Sequence, residues 1–588
     1  MANRRSGLVT TTTRHWSVID NEPSRRFPIY CRGNMGEVYP NVMTPLSGSL
    51  VYRAAQRGQE AVVLDVGFVS RSHIDDSDGA ITGVFGGYLY GNVSLTRVGA
   101  ARTPGMTVRD LDEQMFGLSD APPHVARPDD KSVRCTARLG WHIGRAILRP
   151  DVGLVERDRA AAKAWIAGLR TIDIASDHQL LDIARKLPAK FEEMMAHLLR
   201  TSMFAGVTRS GLERLAEKVG DPSIVNRLTA GLGNIESAEP AFALWKLART
   251  VNDDPNLTEV FDAGVHGLLE RTETIGATAF LAAFDRFLAA HGTRGPDEWE
   301  LGSLTWGLAP AIALEAIDRL RHSPDDRDPR LARARLAADR EAATIEALRS
   351  VPRSRRAMLR RLITTAAIYA GAREATKATF VRTLDPARRA LHELARRHEI
   401  DRTDFFLLTI DELPDFLDEP ANFDETIAER RANRNYLQER VPPFWFEGAI
   451  APPDTWPLRA DRLQPDPSGR VIAGLGVCPG RATGTARVIV DPAKPGRLTP
   501  GDILVAPITD PAWTPLFLAV AGVVVDVGAH QSHAAIIARE LGIPTVVSAT
   551  GASTTIPDGA LITVDGTMGS VTVHEAPSEV SRREPKCA

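Results

Sequence analysis

Apolar and polar positions alternate in short runs near the N-terminus, a pattern that predicts strands joined by tight turns. Between about residues 51 and 94, β-like runs at 61–64 and 88–90 are separated by glycine-containing turns. Paired glycines supply the backbone freedom that such turns require. The pattern predicts an α+β module over residues 1–130.

A helical pattern replaces these runs from residue 131 onward. Windows rich in Ala, Leu, Arg and Glu show helical spacing, for example at 331–336 and 387–397. They predict a largely helical domain over residues 131–441. The arginine-rich run at 353–361 lies among acidic helices, which favours a solvated helix face over a nucleic-acid contact.

A polar, proline-dense passage follows the helices. Residues 442–469 contain several Pro-Pro, Pro-Asp and Ser-Gly steps, which oppose both helix formation and core packing. This composition predicts a hinge between two folded units.

Beyond the hinge, short apolar runs are separated by Gly, Pro and Asp turns and predict strands at 486–490, 503–505, 523–527, 546–547, 561–564 and 571–573. One helix interrupts them, with Ser532 as its N-cap and Gly542 as its stop. The pattern predicts a compact α/β domain over 470–576 and a flexible tail over 577–588. The fold class expected is therefore multidomain α+β.

Composition excludes several classes of function. The chain has 588 residues with 71 Lys and Arg against 74 Asp and Glu, and a net charge of -3 does not favour a nucleic-acid partner. Its longest apolar run, 516–525, is about half of the roughly 20 residues that span a bilayer, and the N-terminus lacks an apolar signal region. The four cysteines show no C-x-x-C spacing, so we expect a cytoplasmic protein without a structural metal site.

A histidine at the start of the C-terminal helix is the main chemical candidate. His533 directly follows the cap Ser532, where free backbone N–H groups and the helix dipole would stabilise a phosphoryl group by about 0.3–1 kcal/mol. The same dipole disfavours imidazolium and keeps the ring neutral and nucleophilic. Spacing alone leaves an ordinary capping or surface histidine as the alternative.

The whole segment 528–544 is more specific than its histidine. With motifs at 475–480, 484–488, 500–505, 509–514 and 565–566, it resembles the phosphohistidine domain of the phosphoenolpyruvate-utilising family, which includes pyruvate phosphate dikinase, phosphoenolpyruvate synthase and rifampicin phosphotransferase. By register, His533 and not His530 falls on the family's phosphorylated histidine. The resemblance implies a swivelling β/β/α domain in which Gly528, Ser532 and Thr509 support the histidine loop.

A weaker resemblance covers the residues before the hinge. The motif at 34–40 and short motifs near 291–301, 373–377 and 404–413 resemble the central domain of rifampicin phosphotransferase-like proteins. They supply the substrate-domain candidates Arg294, Glu298, Arg373 and Glu374. Buried Arg–Glu pairs that hold helices together remain an equal interpretation of these four residues.

The nucleotide is expected to bind on another chain. The central-domain motif begins at Asn34 and no Walker-type sequence is present, so neither an ATP-grasp domain nor a cofactor is expected here. The arrangement is similar to the histidine-bearing subunit of phenylphosphate synthase. It implies a split dikinase-type phosphotransferase in which a separate, phosphoenolpyruvate synthase N-terminal-like ATP-grasp subunit binds Mg-ATP and charges His533, which then passes the phosphoryl group to a small-molecule acceptor. The alternative is a noncatalytic phosphocarrier or a ligand-sensing regulatory protein.

Overall fold

The computed structural model describes residues 16–74, 81–116, 121–169, 171–219, 221, 223–459, 469–492, 494–496 and 498–575. The protein is a multidomain α+β structure, as predicted, with a long helical centre and a C-terminal α/β domain. The predicted tail at 577–588 lies outside the described residues.

The N-terminal region is built on a four-stranded antiparallel sheet. In sheet order β2-β3-β1-β4, its strands are β1 Ile29–Cys31, β2 Thr82–Phe85, β3 Tyr88–Asn92 and β4 Trp445–Glu447. The helices around it are α1 Gly33–Val38, α2 Pro45–Ser47, α3 Arg53–Asp65, α4 Arg71–Ile74, α5 Val93–Arg102, α6 Val108–Phe116, α7 Val133–Leu148 and α8 Leu154–Ala167. The strand predicted at 88–90 lies within β3, which pairs with β2.

Two long helices form the spine of the central region and pack along each other. They are α9, Asp177–Val219, with 43 residues, and α17, Arg353–Arg397, with 45 residues. At about 1.5 Å per residue, α17 extends for roughly 65 Å. The helices here are α9 Asp177–Val219, α10 Ile224–Leu228, α11 Glu239–Asn252, α12 Pro255–Asp262, α13 Leu268–Thr274, α14 Thr278–His291, α15 Pro310–Arg321, α16 Pro329–Arg349, α17 Arg353–Arg397, α18 Arg402–Phe405, α19 Leu413–Asp418 and α20 Asp424–Gln438.

The strand predicted at 61–64 is wrong, because these residues lie inside α3. Ala54, Gly58 and Val62 recur every four residues on its buried face, which packs against α9. A Cβ on Gly58 would lie 2.4 Å from a backbone oxygen of α9, so the two helices approach closely. Tertiary packing therefore outweighs the β preference of the valines.

The first part of the predicted hinge is not a spacer. Residues 442–459 contain β4, which pairs with β1, and Phe446 stacks on Tyr30 with ring centroids 5.3 Å apart. Trp456 is 4% exposed, and its indole N–H donates to the Ala451 carbonyl at 2.8 Å. Phe446 and Trp456 therefore bury aromatic surface in a segment whose proline content predicted no core packing. Residues 460–468 of the predicted hinge lie outside the described residues.

The C-terminal domain is an eight-stranded mixed sheet in the order β5-β12-β11-β7-β8-β9-β10-β6. Its strands are β5 Val471–Ala473, β6 Leu475–Cys478, β7 Arg481–Val488, β8 Ile503–Ala506, β9 Gly522–Val525, β10 Thr545–Val547, β11 Leu561–Asp565 and β12 Ser570–Glu575, and its helices are α21 Thr514–Leu518, α22 His533–Leu541 and α23 Ala552–Thr555. Strands β7 to β10 run parallel at its centre. Helix α22 connects β9 to β10.

The C-terminal domain is docked on the central region. Helix α21 packs against α11 and α15, and one hydrophobic core continues from these helices into the sheet. The buried Glu540 carboxylate accepts the backbone N–H groups of Leu232 and Gly233 at 2.9 and 3.3 Å. These contacts fix the position of α22 relative to the spine.

No helix in the described ranges is both long and apolar enough to cross a bilayer. Within those same ranges, no group of three or more His, Cys, Asp or Glu side chains is arranged to hold a metal ion.

The packing of residues 442–459 predicts a large loss of stability for Trp456→Ala. Truncating a buried tryptophan costs about 3–5 kcal/mol, because it leaves a cavity beside Tyr88. Trp445→Ala is the matched control, since Trp445 is 37% exposed, and we expect it to cost less than about 1 kcal/mol. Urea unfolding checks both variants, and equal losses would contradict a packed segment.

Candidate functional site

His533 is placed by a strand, a short loop and a capped helix start. The loop leaves β9 and reaches Ser532, whose hydroxyl accepts the Ala535 N–H at 3.3 Å, so the predicted cap is confirmed. Gly542 ends the helix at a φ of 68°, as predicted. A Cβ on Gly528 would lie 2.9 Å from the Val547 Cβ, so only glycine fits this close approach of loop and strand.

The imidazole of His533 is enclosed by two threonines and an aromatic ring. Its Nε2 lies 3.2 Å from the Thr514 hydroxyl, and its Nδ1 lies 3.4 Å from the Thr509 hydroxyl. Phe517 meets the ring edge-on with centroids 6.1 Å apart. Because a hydroxyl can donate or accept, both ring nitrogens are satisfied in either neutral tautomer.

Burial holds the pKa of His533 well below its usual value, and the nearby cations Lys377 and Arg294 lower it further. The ring is only 6% exposed. This direction agrees with the expected neutral ring, but burial is the main cause of the shift, whereas the sequence argument relied on the helix dipole. A neutral imidazole has the free electron pair that a nucleophile needs.

Arg294 and Glu298 form a buried ion pair of 2.6 Å. The Lys377 ammonium lies 3.9 Å from the second oxygen of Glu298 and connects this pair to α17. The pair therefore lies beside His533, whose pKa Arg294 lowers. A substrate role and a structural role, as an ion pair that holds helices together, both fit this position of Arg294 and Glu298.

Arg373 and Glu374 lie one turn before Lys377 on α17. The Arg373 guanidinium donates to the Gln531 carbonyl of the histidine loop at 2.9 Å and lies 3.8 Å from the Glu374 carboxylate. Burial alone would raise the pKa of Glu374, but Arg373, Lys377 and neighbouring groups together lower it. The structure thus brings all four substrate-domain candidates to the histidine.

Glu37 is a residue that the sequence argument did not single out. Its carboxylate accepts the backbone N–H of His533 at 3.1 Å. Burial raises the pKa of Glu37 to about 7, although the His533 N–H, Lys377 and Arg373 oppose the shift. Glu37, Lys377 and Thr514 all lie within motifs that carried the resemblance, at 34–40, 373–377 and 509–514, but none of them was selected. The contact between Glu37 and His533 leaves no local signal, because it joins residues 496 positions apart.

A cavity of about 380 Å³ opens beside these groups. Its polar end holds Glu37, Arg373, Glu374, Lys377 and His533. Most of its wall is apolar and includes Met35, Val38, Val51, Leu89, Leu111, Ile143, Phe191, Met195, Leu198, Phe204 and Trp299. A buried apolar chamber with a few convergent polar groups is the usual form of a small-molecule site.

His530 also lines the cavity, but its surroundings differ from those of His533. Burial, Arg209 and Arg539 hold the pKa of His530 well below its usual value. Its Nδ1 has no hydrogen-bond partner among the described residues. Because His530 precedes the helix, it lacks the position at the first helical turn that His533 occupies.

Two aspartates meet where the C-terminal domain touches the central region. The Asp297 N–H donates to the Asp510 carboxylate at 3.1 Å, and Asn41 donates to the Asp297 carboxylate at 2.6 Å. Burial and mutual repulsion raise the pKa of Asp510 to about 7. Burial raises the pKa of Asp297 to about 6.

Two families match parts of the chain. Residues 197–374 match the rifampicin phosphotransferase fourth domain, and residues 498–569 match the mobile domain of PEP-utilising enzymes. The second match contains Thr509 and His533. In these two parts the chain is similar to phosphoenolpyruvate-utilising enzymes.

Curated relatives include the prodigiosin synthesizing transferase PigC of Serratia marcescens, which is 29% identical over 93% of this chain and 63% of its own length. The rifampicin phosphotransferase of Streptomyces sviceus is 29% identical over 79% of this chain and 54% of its own length. A rifampicin phosphotransferase of a Streptomyces species is 32% identical over 61% of this chain and 42% of its own length. The chain thus spans about half of the length of these relatives.

The aspartate pair predicts that docking of the C-terminal domain on the central region weakens as pH rises. An ordinary Asp titrates near 3.8, so protonation stabilises the docked state fully below that pH, and this stabilisation is lost as pH rises through about 6 to 7. The melting temperature should therefore fall between pH 5 and 8, and Asp510→Asn should reduce the fall. Asp454→Asn, at an exposed aspartate, should behave like the wild type. Identical pH profiles for all three proteins would contradict this prediction.

Proposed function

We propose that this chain is the acceptor-binding and phosphohistidine-bearing subunit of a split dikinase-type phosphotransferase. It would relay a phosphoryl group from ATP through His533 to a small-molecule acceptor. The observation that carries this proposal is a neutral histidine at a helix N-terminus, buried at the polar end of an apolar cavity. The match of residues 498–569 to the mobile domain of PEP-utilising enzymes supports it.

The chemistry consists of two in-line displacements. In the first, a ring nitrogen of His533 attacks phosphorus, and in the second, the acceptor oxygen displaces the ring as a neutral leaving group. Lys377, Arg373 and Arg294 are positioned to stabilise the negative charge on the phosphoryl oxygens. Their carboxylate partners would hold these cations in place.

The cavity favours an apolar, uncharged acceptor with a hydroxyl group at one end. Its wall offers aliphatic and aromatic side chains, while the charged groups converge beside His533. A second chamber of about 230 Å³ shares Thr103, Met106, Ile143 and Val207 with the first, which suits an elongated acceptor.

Mg-ATP would bind on a separate ATP-grasp chain. In the docked position the His533 ring is 6% exposed, so a protein donor cannot reach it. We propose that the C-terminal domain undocks to be charged by this partner and returns to deliver the phosphoryl group.

Phosphorylation of His533 can be tested without the partner chain. Incubation with potassium phosphoramidate, a small phosphoryl donor, should give one acid-labile phosphate on His533. His530→Ala should retain this label and His533→Ala should lose it, with mass spectrometry locating the site. A label on His530, or one that survives His533→Ala, would contradict the proposal.

Filling the cavity should weaken acceptor binding. Ala55 lines the cavity on α3, so Ala55→Leu should reduce the affinity for the aromatic alcohol 1-naphthol at least tenfold by steric overlap. Ala61→Leu, on the exposed face of the same helix, is the matched control and should bind like the wild type. Quenching of Trp299 fluorescence measures binding, and equal affinities for the two variants would place the acceptor elsewhere.

A further inference from the structure

Transfer from His533 to a hydroxyl requires a base, because the acceptor oxygen must lose its proton as it bonds to phosphorus. Three carboxylates lie at the polar end of the cavity or directly behind it: Glu37, Glu298 and Glu374. They differ in their ionic partners, and this difference indicates which of them can accept the proton.

Glu298 and Glu374 are committed to cations. Glu298 pairs with Arg294 at 2.6 Å, and Glu374 lies 3.8 Å from Arg373. The lowered pKa of Glu374 makes it a weak base. Both side chains are better suited to holding cations than to accepting a proton.

Glu37 has no such commitment. Among the described residues, no cationic side chain lies within 4.0 Å of its carboxylate, which accepts the backbone N–H of His533 at 3.1 Å. It lines the cavity next to the histidine. One of its oxygens therefore lies at the first turn of α22. A phosphoryl group on His533 would find free backbone N–H groups at the same turn.

We propose that Glu37 is the general base that accepts the proton of the acceptor hydroxyl during transfer from phosphorylated His533, an inference that rests on the proposed function. The O–H proton moves to the Glu37 carboxylate while the acceptor oxygen bonds to phosphorus. The N–P bond breaks, and its electron pair returns to the ring, which leaves as neutral imidazole because its other nitrogen carries a proton. Charge and atoms balance without another reactant.

The electrostatic setting suits this role. The charged and titratable groups facing Glu37 are His533 on α22 and Arg373, Glu374 and Lys377 on α17. Burial raises the pKa of Glu37 to about 7, although Lys377 and Arg373 oppose the shift. This value lies near that at which a general base is most effective at neutral pH.

The test measures decay of the phosphohistidine in the full-length chain. His533 is loaded with potassium phosphoramidate, water entering the cavity serves as the acceptor, and ³¹P NMR follows the loss of the N–P signal. The wild-type decay rate should increase with pH through about 7, since Glu37 must be ionised to act as a base. Free phosphohistidine is acid-labile, so decay by bulk water alone would show the opposite trend.

Glu37→Gln keeps the size of the side chain and an oxygen that can accept the His533 N–H, but it cannot take a proton. We expect decay at pH 8 to be slower on the order of a hundredfold and the increase with pH to disappear. Glu259→Gln is the control for the same change of side chain, because Glu259 is exposed on α12 and does not line the cavity. It should decay like the wild type.

The outcomes separate the two proposals. If His533 takes up no phosphoryl group in either protein, the proposed function fails, and the role of Glu37 fails with it. If both proteins are loaded and Glu37→Gln decays at the wild-type rate, only the role of Glu37 is overturned. A wild-type rate that does not increase with pH overturns that role without reference to any variant.

Discussion

The burial of His533 between two domains is the constraint on which the site depends. Docking shields the ring from bulk water, lowers its pKa and places the Glu37 carboxylate on the backbone N–H of His533. It also closes the apolar cavity at its polar end. A phosphohistidine is prone to hydrolysis, so a dry, enclosed ring favours transfer to a bound acceptor over transfer to water.

Charge balance links this burial to the chemistry. Arg294, Arg373 and Lys377 face Glu37, Glu298 and Glu374, so the cluster is neutral when every carboxylate is ionised. Protonation of Glu37 leaves one positive charge in excess, which complements an arriving phosphoryl group. Since a buried unpaired charge is costly, the proton on Glu37 should be favoured once the phosphoryl group has passed from His533 to the acceptor and its negative charge balances this excess.

Local signals explain what the sequence could predict. Ser532 and Gly542 determine the ends of α22 within a few residues, so its bounds were predicted correctly. The remaining features depend on contacts between residues that lie far apart in the chain. The pair Glu37 and His533 depends on docking, α3 depends on packing against α9, and β4 depends on pairing with β1. None of these pairings leaves a pattern in the nearby sequence.

The aromatic packing around Trp456 also limits how far the C-terminal domain can travel. Residues up to 459 are held by the N-terminal sheet, so a movement of the domain cannot lengthen its connection by releasing this part of the predicted hinge. A chain of about ten residues, the separation of Arg459 from Gly469, spans at most roughly 35 Å. Under the proposed relay, a larger displacement of His533 would require rotation of the domain, and any donor site would have to lie within one such displacement and rotation of the cavity.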